Sequence, residues 1–143
     1  EVDGFLGRHS QMEIYCNEVL AQRSISTLQK KDVYLCKLDR MANTELRYDD
    51  AIHLCLTILK ELGYSFPRGR VMGLLKATIS LRNTVKMMKQ TPTEMLGALP
   101  VATDPSKLAV MALLNRLNQW SYFSGEKFLY LLLLTCTKMV QMT

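Results

Sequence analysis

Hydrophobic residues recur at intervals of three and four over residues 48–62, which is the spacing of one face of an α-helix. Asp49 and Asp50 place negative charge in the first turn and Lys60 places positive charge in the last, as the helix dipole favours. Gly63 can adopt the left-handed conformation that commonly follows the last turn. We therefore predict a single helix with a defined start and end. Its apolar face consists of Ala51, Ile52, Leu54, Cys55, Ile58, Leu59 and Leu62.

The same periodicity predicts helices along most of the remaining chain. Ser10 and Glu13 have the spacing of a capping box, so the first helix is expected to begin at Ser10, after a stretch with little periodicity. Only residues 43–47 separate the second predicted helix from the third, and two helices joined so closely must lie antiparallel. The additional helices are predicted over residues 10–22, 29–42, 68–90, 104–123 and 126–142, with a short helical turn over 91–99.

Asp104 and Pro105 mark the start of the fifth predicted helix. An aspartate at the N-cap accepts a hydrogen bond from an unpaired backbone N–H, and proline at the next position supplies the required φ. Ser124 and Gly125 interrupt the pattern before the last predicted helix, which is apolar around most of its circumference and is expected to be central or covered. The predicted fold class is all-α, with about six helices in antiparallel pairs. A compact six-helix bundle is the alternative arrangement.

With 143 residues the chain is long enough for one buried core, and we predict a single domain over residues 1–143. The chain opens without the features of a signal, and we expect a fragment of a longer protein. The formal net charge of +5 favours acidic partners or surfaces. The one strongly apolar run, residues 128–134, is far shorter than the ~20 residues of a membrane span, so no membrane partner is expected.

Positive charge is concentrated in residues 68–90, which contain no Asp or Glu. A solvated helix face and a docking surface for an acidic protein partner both fit this pattern. Nucleic acid is disfavoured as a partner, because nucleic-acid-binding surfaces usually add stacking aromatic residues and this stretch has none. The apolar face of the same helix is expected to lie in the core and consists of Val71, Leu74, Leu75, Thr78, Ile79, Leu81, Val85 and Met88. The candidate partner-binding face consists of Arg68, Arg70, Lys76, Arg82, Lys86 and Lys89.

No catalytic constellation is recognisable in the sequence. His9 and His53 are the only histidines, and neither has a partner at a useful spacing. The glycines at 69 and 73 lack the Lys and Ser/Thr that would complete a phosphate-binding loop. We therefore predict a protein that is not an enzyme and that carries no cofactor and no metal.

The four cysteines, Cys16, Cys36, Cys55 and Cys136, are widely scattered and form no C-x-x-C motif. Each lies in an apolar helical context, where free cysteine behaves as a small hydrophobic residue. We expect reduced core cysteines and a cytoplasmic protein. A disulfide framework is the alternative.

Residues 35–63 resemble a divergent tetratricopeptide (TPR) repeat, in which small residues lie where two helices cross. Setting Ala51 on the alanine of the repeat's second helix places Tyr48 on the aromatic position before it. Asp39 and Ala42 depart from the small and aromatic residues that are usual at their positions. The resemblance implies a TPR-like α-solenoid fragment. The residues that it assigns to repeat packing are Leu35, Leu38, Tyr48, Ala51, Cys55, Ile58 and Gly63.

Residues 51–67 and 99–114 together are similar to the helical segment that follows the AAA-like ATPase module of large multidomain signalling proteins. The sequences that carry the match are AIHLCLTILKELGYSFP and LPVATDPSKLAVMALL. The resemblance implies a protein-interaction or sensing scaffold, whose partners are other proteins and the attached ATPase and kinase or cyclase domains. It implies none of their activities for this chain, because no ATPase or kinase residue is present.

Overall fold

The computed structural model describes residues 2–92 and 103–142, with side chains from residue 11 onward within those ranges. This part of the chain is all-helical and contains no strand, which confirms the predicted all-α class. It comprises six α-helices, and a short 3₁₀ turn, Gly125–Phe128, leads into the last of them. The helices are α1 (Val2–Ala21), α2 (Lys31–Asn43), α3 (Tyr48–Glu61), α4 (Arg70–Gln90), α5 (Pro105–Phe123) and α6 (Leu129–Met142).

The start of α1 differs from the prediction. The backbone is already helical at Val2, so Ser10 lies inside the helix and does not cap it. α1 packs against α2, and its side chains Met12, Ile14 and Tyr15 are exposed. The hydrophobic pattern therefore predicted only the second half of α1.

Local capping chemistry places other helix ends as predicted. Gly63 follows α3 with a φ of +90°, in the left-handed region. Asp104 Oδ1 accepts a hydrogen bond from Ser106 N at 2.9 Å, with proline in the first turn of α5. The helical turn predicted over residues 91–99 lies, beyond its first two residues, outside the described part of the chain.

The spatial order of the helices differs from their order along the chain. α1 packs on α2, α2 on α3, α3 on α5, and α5 on α6. α4 packs mainly against α6, although a stack of consecutive pairs would place it beside α3 and α5. α4 therefore lies at one edge of the array, with much of its circumference open.

The core lies between the α2–α3 pair and the α5–α6 pair. Cys55 of α3 is fully buried, with its Sγ 3.6 Å from the backbone oxygen of Leu113 in α5. At the edge of this contact, Arg116 Nε of α5 donates to Asp39 Oδ1 of α2 at 2.8 Å. The largest fully buried apolar side chains are Leu38, Ile52, Leu59, Val110, Leu113, Leu114, Leu117 and Leu131.

α6 has the most apolar sequence of the six helices and is covered by α5 and α4. Leu131 and Leu134 are buried, whereas Leu129 and Val140 remain exposed. Within the described ranges, no helix combines the length and the apolar character needed to cross a membrane.

The cysteines do not share one environment, which corrects the prediction that all four are core residues. Cys55 is buried, Cys16 and Cys36 are half-buried, and Cys136 is exposed. All four are free thiols. Cys136 on α6 is exposed, although its Sγ accepts a hydrogen bond from Asn118 Nδ2 of α5 at 3.1 Å, and an apolar sequence context does not reveal this exposure.

Candidate interaction surface

α4 contacts α6 through a row of small residues. Gly73, Ala77 and Thr84 are its buried positions, and Ser80 between them is half-buried. At 3.6 residues per turn, these four positions form a narrow strip along one side of the helix. Thr84 Oγ1 also accepts a hydrogen bond from Gln141 Nε2 of α6 at 2.9 Å. Small side chains let the two helix backbones approach closely.

Three further contacts align α4 with α6. The ring of Tyr130 occupies the space beside Gly73 that a side chain at that position would need. The Tyr130 hydroxyl donates to the backbone oxygen of Arg68, just before the helix begins, at 3.3 Å. About two helical turns further along, the hydroxyls of Ser80 and Thr137 are hydrogen-bonded at 2.8 Å. The position of α4 is therefore set by backbone proximity and hydroxyl groups rather than by large apolar side chains.

The apolar face of α4 that was predicted to lie in the core is exposed. Val71 is 85% exposed, and Leu74, Leu81 and Val85 are each at least 40% exposed. Hydrophobic periodicity identified an apolar face correctly, but α6 covers the neighbouring strip of small residues instead. Half of the exposed large hydrophobic side chains in the described part of the chain lie on α4. They are Val71, Met72, Leu74, Leu75, Ile79, Leu81, Val85, Met87 and Met88.

The predicted basic face is exposed, and its C-terminal members form one cluster. Arg82, Lys86 and Lys89 follow at intervals of four and three residues, on the side of α4 turned away from α6. They line a shallow depression together with Asn83 and Val85. Among the described residues, no carboxylate lies within 4.0 Å of these three cations. Their charge is therefore available to an external acidic group.

The other cations of the predicted face lie apart from this cluster. Lys76 lines a different depression, which it shares with Lys138 of α6. Arg68 precedes α4, and Arg70 in the first turn lies 4.0 Å from the carboxylate of Glu126. The structure thus divides the six predicted residues into one cluster of three and three separate positions.

The residues that the TPR resemblance assigns to repeat packing lie along the α2–α3 pair. Leu38, Ala51, Cys55 and Ile58 are buried, Leu35 and Tyr48 are half-buried, and Gly63 lies just after the end of α3. Each of the six side chains belongs to the core or packs against it.

A second exposed apolar group, which the sequence reasoning missed, lies where α2 meets α3. Leu46 in this connection is exposed. Its φ of +54° is uncommon for residues other than glycine and asparagine. Nearby, the Tyr48 and Phe123 rings stack at 5.9 Å, and Tyr122 meets Phe123 edge-on at 5.6 Å. Tyr122 and Phe123 are both exposed at the end of α5. No sequence signal distinguishes this group from core aromatics.

A cavity of about 340 Å³ lies between α1 and α2. Cys16 and Cys36 line it from the two helices, and burial, reinforced by the neighbouring Cys36, raises the pKa of the Cys16 thiol. At its edge Arg40 pairs with Glu13 at 2.7 Å and with Glu45 at 2.9 Å. Lys37, which also lines the cavity, donates to Asn17 Oδ1 at 2.9 Å, so the charged groups of this cavity have partners within the chain.

The remaining titratable candidates have structural contacts. His53 is exposed, and its ring meets that of Phe128 edge-on at 6.0 Å. Asp49 in the first turn of α3 pairs with Lys127 at 2.5 Å. In the part of the chain that the structure describes, no three His, Cys, Asp or Glu side chains are grouped so that they could hold a metal ion.

Comparison of the chain with protein-family models, curated proteins and solved structures gives no match. The features that bear on function are therefore the exposed side of α4, with its apolar and basic side chains, and the sequence resemblance described above.

Proposed function

We propose that this chain is a non-catalytic helical module that binds another protein through α4. The observation that carries the proposal is the contrast between the two sides of this helix. α4 buries only small residues against α6, whereas large residues such as Leu81 and Val85 remain exposed. A continuous exposed apolar surface of this length is typical of protein-interaction sites.

The charge beside this surface favours an acidic partner. α4 carries five cations and no acidic residue, and the cluster of Arg82, Lys86 and Lys89 has no internal counter-ion among the described residues. Phosphate groups would satisfy the same cations, so a nucleic-acid adaptor is the competing function. The absence of aromatic residues from α4 argues against it, since bases commonly stack on aromatic side chains.

The test is to identify a protein captured by the purified chain and to reconstitute the complex from purified components. Val85→Asp places a charge on the exposed apolar side of α4, and Thr57→Asp places the same charge on the exposed side of α3. We expect Val85→Asp to weaken binding about tenfold or more, as for a central interface residue, and Thr57→Asp to leave it unchanged.

Equal binding of the partner by the unmodified chain, Val85→Asp and Thr57→Asp would refute the proposal. The competing function is measured by fluorescence anisotropy with generic duplex DNA and single-stranded RNA. Binding that falls steeply with salt concentration, and that is weakened by Lys86→Glu, would identify a nucleic-acid adaptor instead.

We further propose that the module acts as a TPR-like scaffold of a cytoplasmic signalling ATPase and couples occupancy of α4 to the attached domains. This proposal rests on the resemblance of residues 51–67 and 99–114. The described parts of these two segments pack against each other, as the contact between Cys55 and Leu113 illustrates, which supports reading them as one unit. The coding sequence upstream of this chain tests the idea. A phosphate-binding loop of the form G-x-x-x-x-G-K-[ST] is expected there, and a complete upstream sequence without one would contradict it.

A further inference from the structure

The exposed apolar residues of α4 contain a coiled-coil seam. Six positions follow one another at intervals of three, four, three, four and three residues, which is the a/d spacing of a heptad repeat. All six are exposed to solvent, and together they extend over almost the whole of α4. They are Val71, Leu74, Thr78, Leu81, Val85 and Met88.

The two flanks of this seam differ. On the g flank, Ala77 and Thr84 are buried against α6, so this side is closed. On the e flank, Arg82 and Lys89 are exposed and stand one heptad apart. A second helix can therefore lie along the seam without displacing α6. The charged residues of α4 that this second helix would meet beside the seam are the cations of the e flank.

We propose that the partner of α4 is an amphipathic helix that has its own apolar heptad seam and acidic residues beside it. This inference rests on the proposed function and specifies the kind of partner. Apolar a and d residues of the partner would cover the seam centred on Leu81. Its carboxylates would pair with Arg82 and Lys89, which have no carboxylate within 4.0 Å among the described residues.

A second copy of α4 fits this surface less well. In an antiparallel pair the e flanks face each other, which brings Arg82 and Lys89 of one copy against the same cations of the other. In a parallel pair the e flank faces the g flank, where Ala77 and Thr84 carry no charge and are covered by α6. Neither arrangement forms an ion pair, so charge complementarity selects an acidic helix.

The probe that tests the proposal is a synthetic fluorescein-labelled peptide of about three heptads, with leucine at a and d and glutamate at e and g. A matched peptide carries lysine in place of each glutamate. Fluorescence anisotropy is measured with the whole chain. We expect the acidic peptide to bind about tenfold tighter or more than the lysine peptide, with an advantage that shrinks as salt is added.

Two variants locate the binding site. Leu81→Glu changes the centre of the seam, and Ile79→Glu makes the same kind of change at an exposed position off the seam. The parent side chains are 43% and 53% exposed, so neither variant should unfold the chain, and thermal melting checks this. We expect Leu81→Glu to weaken binding of the acidic peptide about tenfold or more, and Ile79→Glu to have little effect.

Equal affinity for the two peptides, or an equal effect of the two variants, would overturn the proposal. Self-association in sedimentation equilibrium that Leu81→Glu abolishes would also overturn it, because a second copy would then be the occupant. If the acidic peptide does not bind but a reconstituted protein complex is sensitive to Val85→Asp, the inference fails and the proposed function survives. If that complex is insensitive as well, both fail.

Discussion

The ring of Tyr130 on α6 lies directly against the backbone of Gly73 on α4, in the space that a Cβ atom would occupy. Tyr130 is 2% exposed, so its ring has little freedom to move aside. This contact belongs to the interface with α6 that α4 also forms through Ala77, Ser80 and Thr84. It determines which side of α4 is covered and therefore which side is left for a partner.

Gly73→Ala is expected to destabilise the chain by about 1–3 kcal/mol, the usual cost of overpacking a well-packed site. Elsewhere within a helix the same substitution would stabilise by about 0.5–1 kcal/mol, because glycine loses more conformational entropy on folding than alanine does. Urea unfolding measures the difference in free energy. Asn83→Ala, at an exposed position of the same helix, is the control and should not be destabilising.

A double variant shows whether Tyr130 causes this loss. Tyr130→Leu removes the ring, so the combination with Gly73→Ala should cost less than the sum of the two single variants. An additive result would mean that the ring is not what excludes a side chain at position 73.

Ala51→Asp should cost at least about 3 kcal/mol, because Ala51 is fully buried in α3 and an unpaired charge there loses its hydration. His53→Asp, two residues along the same helix at an exposed position, introduces the same side chain without burying it. Thermal and urea unfolding of both variants measure the effect. Similar stabilities for the two would show that α3 does not bury the face containing Ala51.

The pKa of the Glu45 carboxyl is expected below the ordinary glutamate value, because Arg40 donates two hydrogen bonds to it and Arg47 donates a third. Because this carboxyl has a lower pKa in the folded state than in the unfolded state, the pairing stabilises the fold in full at pH values above the unfolded-state pKa. The contribution disappears as the pH falls through the folded-state value. Carboxyl NMR titration measures this pKa directly. Arg40→Gln should raise it, and an unchanged value would rule out Arg40 as the main cause.

Alkylation by iodoacetamide should distinguish the cysteines. Cys136 is exposed and is expected to react first. Burial raises the pKa of Cys55 to about 12, and its side chain is inaccessible, so it should react last. The raised pKa of Cys16 lowers its thiolate fraction, so it should react more slowly than Cys136 at neutral pH.

Peptide mass spectrometry after timed alkylation gives the rate at each cysteine. In denaturant the protection of Cys55 should disappear, which separates the effect of burial from any effect of neighbouring sequence. Reaction of Cys55 at the rate of Cys136 in the native protein would contradict the α3–α5 contact.

Sequence alone predicts the parts of this fold that depend on neighbouring residues. The N-cap hydrogen bond of Asp104 and the left-handed Gly63 involve groups only a few positions apart, so the local sequence contains the whole cause. The buried face of α3 was also predictable, because its apolar side is broad and packs against both α2 and α5. The exposed positions of the basic residues follow equally from their charge.

Only the tertiary structure decided which side of α4 is buried. The periodic large residues predicted burial of the face that contains Leu81, yet the narrow strip that contains Gly73 and Ala77 meets α6. A row of small residues at these spacings was visible in the sequence. Whether this row is buried depended on Tyr130, Thr137 and Gln141, which lie on a helix some sixty residues away in the chain. Helix periodicity is a property of one segment, whereas burial depends on which other segment packs against it, and that pairing determined the exposed surface of α4.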